Sequence, residues 1–203
     1  MNASLPIELM HFEPLPLITE AELKELSHPH RKPLFLVGMM GAGKTTLGRH
    51  LARHLDREFM DLDHELEHRC GVSIADIFDI EGEAGFRKRE TAALDHCTRL
   101  PGIVLATGGG AVLAPENRAY LKQRGLVVYL RASADELYKR VARDKNRPLL
   151  QTANPQQRLI ELLAQREALY AEVADIIFDT TAIGAVPTVV KQLLELLKQH
   201  EVS

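Results

Sequence analysis

Residues 33–203 read as an α/β domain, a parallel sheet covered by helices on both faces, and three observations predict it. Short apolar runs suited to buried strands recur at Leu34–Val37, Glu58–Asp61, Ile103–Ala106, Leu126–Leu130 and Asp175–Phe178. Helical stretches lie between them, including Ala134–Arg143, Gln156–Tyr170 and Pro187–His200, and this alternation argues for parallel pairing. The third observation is a glycine-rich turn, GMMGAGKTT from Gly38 to Thr46. It joins the first strand to a stretch with Leu47, Leu51 and Leu55 at helical spacing. In such a sheet, ligands belong at the carboxyl ends of the strands.

Residues 1–32 differ from the rest. Pro6, Pro14, Pro16 and Pro29 punctuate the segment, with Pro33 at its border. Thr19 to Glu22 reads as a capping box for one short helix with Leu23 and Leu26 on its apolar side. This extension is too short to be a domain; it either packs on the core or a partner, or is partly disordered.

The turn fits GxxxxGK[ST], with Gly38, Gly43, Lys44 and Thr45 at the fixed positions. Its glycines let successive backbone N–H groups point inward at the phosphates of a nucleoside triphosphate. Lys44 reaches those phosphates as a point charge, and the Thr45 hydroxyl is placed for Mg²⁺. A helix beginning near Lys44 adds its positive end to the same anion site.

Asp61-Leu62-Asp63 follows the second strand. Residues two apart on a strand face the same side, so both carboxylates are expected to line one cleft. Arg87 and Glu90, within Phe86 to Glu90, are three apart on a helix and share a face. A glutamate that steadies an arginine makes a rigid carboxylate clamp. Thr107-Gly108-Gly109-Gly110 closes the third strand, where the lack of Cβ atoms admits a ligand close to the backbone. Arg143 to Leu150, with Arg147, leads into the polar stretch 151–155 and suggests a lid that closes over phosphates. Arg166 falls late in a helix, and the final helix presents Val190, Leu193, Leu194 and Leu197 as core cover.

The 203 residues fit one domain, and 45% hydrophobic with 26% charged residues is an ordinary globular balance. A net charge of −3 offers no global attraction for nucleic acid. The two cysteines, Cys70 and Cys97, have no metal-ligand spacing and read as free buried thiols of a reducing cytosol. The N-terminus has no secretory pattern, and no apolar run approaches the ~18 residues that span a membrane. A cytoplasmic chain with neither nucleic-acid nor membrane partners is expected.

Taken together, GMMGAGKTT, Asp61-x-Asp63, GFRKRE from Gly85 to Glu90, TGGG and RPLL resemble the shikimate kinase family, in order and spacing. The likeness runs from about Pro33 to the C-terminus. It implies the P-loop kinase fold: a five-stranded parallel sheet flanked by helices, a helical substrate-binding region at about 62–92 and a mobile lid at about 144–156. It implies transfer of the ATP γ-phosphoryl group to the 3-hydroxyl of shikimate. The products are shikimate 3-phosphate and ADP, in chorismate and aromatic amino-acid biosynthesis.

By the same resemblance, Gly41, Ala42, Gly43, Lys44, Thr45 and Thr46 wrap the phosphates of ATP. Thr45 and Asp61 hold Mg²⁺, Asp61 through water. Asp63 binds shikimate hydroxyls and accepts the attacking hydroxyl's proton. Arg87 and Arg166 grip the carboxylate, with Glu90 orienting Arg87, and Gly108, Gly109 and Gly110 line the pocket. Lys44 and Arg147 stabilise the transferring phosphoryl group, and Arg143 packs on adenine. A monomer is expected. Ala168 stands where the family usually has proline, and Thr45-Thr46 replaces the commoner Ser-Thr. A gluconate or nucleotide kinase would share the loop and lid, but the Asp-x-Asp, Phe-Arg and glycine set argues against it. A non-catalytic sensor could dispense with Lys44, Asp63 or Arg147, and all three are present.

Overall fold

The computed structural model describes residues 32–142, 150, 152–181 and 185–201. Five parallel strands form one sheet in the order β2-β3-β1-β4-β5. They are β1 (Leu34–Val37), β2 (Phe59–Asp61), β3 (Val104–Ala106), β4 (Leu126–Arg131) and β5 (Ile176–Asp179). The expected strands are all present, each within a residue of its expected ends. β1 is the middle strand, paired with β3 through Leu34↔Val104 and with β4 through Leu34↔Leu126. All four of its side chains are buried, as a continuous apolar run requires when both faces of a sheet are covered.

The connecting helices are α1 (Lys44–Leu55), α2 (Leu62–Cys70), α3 (Ile74–Cys97), α4 (Pro115–Arg124), α5 (Ala134–Val141), α6 (Pro155–Val173) and α7 (Val186–Glu201). α1 turns Leu47 and Leu51 into the core, and its Gly48 lies against the Phe59 ring, with room for no Cβ. α7 packs on α1 and buries Val190, Leu193 and Leu197; Leu194 is only partly buried. α3 is two helices joined at Gly82, whose φ of 67° breaks the helical path. Glu81 and Arg89 form an ion pair across that break. Beneath it, Leu66, Ile77 and Phe86 make a small core of their own, so the region from α2 into α3 is a satellite on the main sheet domain.

The sheet order makes β1 the point where the chain reverses direction across the sheet, and the carboxyl ends of β1 and β3 open there together. The thiols are free: Cys97 is buried as expected, whereas Cys70 is only half-buried and accepts a hydrogen bond from Arg89. Among the described residues no helix is long and apolar enough to cross a membrane. The expected extension, apart from Lys32, lies outside the described residues, as do Arg143, Arg147 and most of the expected lid.

Candidate active site

The turn after β1 carries Gly41 and Gly43 at φ 81° and 95°, a region glycine enters without strain. Gly43 caps α1 without any side-chain hydrogen bond, and no acidic residue occupies the helix's first turn. No capping side chain or first-turn carboxylate thus competes with an anion at that helix end. Lys44 Nζ donates to the carbonyls of Gly38 at 2.8 Å and Met39 at 3.0 Å, so the lysine lies back over the loop it follows. Next to it, Thr45 Oγ1 donates to Asp61 Oδ2 at 2.7 Å. A hydroxyl and a carboxylate brought together at the ends of adjacent elements form the hard oxygen donor set that suits Mg²⁺.

Asp61 and Asp63 are not a strand pair, contrary to the expectation from their spacing. β2 ends at Asp61, which caps α2: its Oδ1 accepts the Asp63 N–H at 3.1 Å. Aspartate is a strong helix N-cap, so the chain turns helical at Leu62, which is fully buried. Asp61 serves Thr45, while Asp63, on the first turn of α2, approaches the turn after β3. A Cβ on Gly108 would sit 2.8 Å from Asp63 Oδ1 and 2.8 Å from Glu90 Oε1.

Arg87 and Glu90 meet as expected, with Nη1 donating to Glu90 Oε2 at 2.6 Å. Glu83, one turn earlier, accepts from Nη2 at 3.0 Å. Glu90 is only 2% exposed. Burial pushes its carboxyl up from the ordinary value, and Asp63 adds to that, while Arg87 and Arg166 pull it back down. Burial would lower the Arg87 guanidinium, but the Glu90 and Glu83 carboxylates outweigh it and hold it above its usual range. The guanidinium lies against Gly110, where a Cβ would come within 2.6 Å of Nη2.

Arg166 is buried on α6, and its Nη1 donates to the Gly109 carbonyl at 3.2 Å. Its Nε is buried with no hydrogen-bond partner among the described residues. Gly109 in turn packs on the phosphate loop, 3.4 Å from Met40 N for an added Cβ. Asp63, Arg87, Glu90 and Arg166, from three helices, thus surround one glycine turn that touches the phosphate loop.

Three contributors escaped sequence reasoning. Arg140 of α5 donates to the Thr180 carbonyl at 2.7 Å and the Gly41 carbonyl at 3.3 Å, tying the phosphate loop to the end of β5. Asn117 holds the glycine turn through the Ala111 carbonyl at 2.8 Å, and Tyr170 bonds Gly109. All three reach backbone carbonyls, those of Arg140 and Tyr170 far along the chain and that of Asn117 six residues back, and no local motif marks such a contact. Among the described residues no group of acidic, histidine or cysteine side chains forms a metal cluster on its own.

Fold and loop together define a phosphate-loop kinase. The shikimate kinase family model matches residues 40–198. The shikimate kinase of Bordetella pertussis is 63% identical over 175 residues, spanning 85% of this chain and 82% of that protein. That of Ralstonia nicotianae is 56% identical over 170 residues, 84% and 87% of the two chains. Among solved structures, the shikimate kinase from Acinetobacter baumannii in complex with shikimate superposes with a TM-score of 0.82. It is 48% identical and covers 89% of this chain and 99% of its own. This chain belongs to the shikimate kinase family.

Proposed function

We propose that this chain transfers the γ-phosphoryl group of ATP to the 3-hydroxyl of shikimate, with Mg²⁺ as cofactor. The observation that carries the reading is the convergence of Asp63, Arg87 and Arg166 on a glycine turn packed against the phosphate loop. An acceptor with one carboxylate and several hydroxyls matches two arginines and one aspartate.

In this reading Arg87, steadied by buried Glu90, and Arg166, with its unspent Nε, hold the carboxylate. Asp63 orients the attacking hydroxyl and accepts its proton at a carboxylate oxygen. The N–H groups of the first turn of α1 and Lys44 bind the phosphates. Thr45 and Asp61 are the residues that would hold Mg²⁺, which when bound neutralises charge on the phosphates. Arg147 and Arg143, on the stretch before α6, complete the reading as the lid and adenine contacts. Phosphoryl transfer needs little covalent assistance, so positioning and charge account for most of the acceleration.

Mass analysis of the product tests this: shikimate should gain one phosphate at its 3-hydroxyl, only with ATP and Mg²⁺ present. Unmodified shikimate after prolonged incubation would refute it.

Two substitutions probe the acceptor side. Arg87→Lys keeps the charge but loses the fork, and should raise the shikimate KM about tenfold with ATP KM unchanged. Equal KM values in steady-state kinetics would take Arg87 out of the clamp. Gly110→Ala is tolerated by the backbone, because φ is −102°, but its methyl must displace the Arg87 guanidinium. We expect a folded protein with kcat/KM for shikimate lowered by about 10- to 100-fold. Wild-type kinetics in that variant would show that Arg87 can move freely without cost.

A further inference from the structure

Tyr170 occupies the last part of α6 and is fully buried. Its ring stacks on Tyr129 with centroids 5.0 Å apart. Its hydroxyl donates to the Gly109 carbonyl and lies 3.4 Å from Met39 Sδ. Arg166 Nη1 donates to the same carbonyl. Burial pushes the hydroxyl's acidity well away from the physiological range, so it remains a donor.

The contacts have a geometric consequence. The Gly109–Gly110 peptide is trans, so the Gly109 carbonyl and the Gly110 N–H point in opposite directions. Holding the carbonyl against α6 turns the Gly110 N–H away from α6. The same hydroxyl shares the Gly109 carbonyl with Arg166 Nη1, so the two side chains are positioned together, and it touches the phosphate loop at Met39. A glycine turn has little rotational stiffness of its own, so its peptide orientation has to be imposed from outside.

We propose that Tyr170 is a positioning residue for the acceptor: its hydroxyl fixes both the Gly109–Gly110 peptide and Arg166 in the orientation that receives the substrate carboxylate. The role rests on the shikimate reading above. Tyr170 touches no reacting atom, and it acts through Gly109 and Arg166.

Steady-state kinetics of Tyr170→Phe, in the full chain, tests the proposal. Phenylalanine keeps the ring stacked on Tyr129 and deletes only the hydroxyl. The shikimate KM should rise about tenfold, with kcat and the ATP KM within about twofold of wild type. Tyr129→Phe is the control. The Tyr129 hydroxyl is buried without a hydrogen-bond partner, so its removal should leave the shikimate KM unchanged. An unchanged shikimate KM in Tyr170→Phe would overturn the proposal. Equal rises in both KM values with a lowered Tm would overturn it too, since that pattern is general loosening of the core.

Should Tyr170→Phe fail to fold, hydrogen exchange on the unaltered chain decides: the Gly110 amide should be slowed by added shikimate, and an indifferent amide overturns the proposal. Turnover of shikimate by the unaltered chain separates the two levels. Its absence would overturn the shikimate reading and this role together, whereas turnover with an unaffected Tyr170→Phe would remove this role alone.

Discussion

Asp63→Asn is expected to lower shikimate-dependent turnover by roughly 10²–10⁴-fold, the contribution of a positioned proton acceptor, while ATP affinity stays near wild type. Asparagine has nearly the same shape, and the capping bond at the start of α2 uses the Asp63 backbone N–H rather than its side chain. The fold should therefore be retained. The substitution also removes the negative charge that helps push Glu90 up, so Glu90 should become easier to ionise and the Arg87 clamp should not loosen. The acceptor KM is then expected to change much less than kcat. Kinetics with ATP titrated separately distinguishes these terms. Turnover within a few-fold of wild type would remove Asp63 from proton transfer and leave it as a contact to the acceptor only.

Lys44→Ala should act on the other half of the site. It deletes a side chain that braces the loop, donating to the carbonyls of Gly38 and Met39, and that in this reading presents a charge to the phosphates. Removing a preorganised charge at a phosphoryl site costs about 10²–10³-fold in rate. Nucleotide binding should weaken as well, because the loop loses its brace. Calorimetric titration of ADP and ATP against the variant checks the binding part, and single-turnover kinetics the rate. Wild-type values in both would mean that the turn from Gly38 to Thr46 does not hold the triphosphate. The contrast with Asp63→Asn is the useful feature: one variant should damage nucleotide binding and rate together, the other rate alone.

Much of the fold was legible because its signals are local. β1 reads as a strand since all four residues are apolar and the sheet covers both faces. The start of α1 at Lys44 follows from the glycine turn, and the final helix declares its buried side through Val190, Leu193 and Leu197. The Arg87–Glu90 pair was legible for the same reason, being set by helical spacing alone.

The Asp61–Asp63 pair shows where spacing misleads. Period-two reasoning holds only while the chain stays extended, and Asp61 is itself the cap that ends the strand. The break of α3 at Gly82 was likewise not anticipated, because only the segment from Phe86 to Glu90 was read as helical there. Arg140, Asn117 and Tyr170 were out of reach for another reason. Each acts on a backbone carbonyl, and a carbonyl has no sequence signature.

Release of ADP from ATP and Mg²⁺ tests the central claim most directly, measured with shikimate present and absent, and with gluconate and nucleoside monophosphates as rival acceptors. Turnover that depends on shikimate, with the rivals silent, is the result expected from a cleft with two arginines and one aspartate beside the phosphate loop. ATP binding without shikimate-dependent turnover, or faster turnover with a rival acceptor, would contradict it.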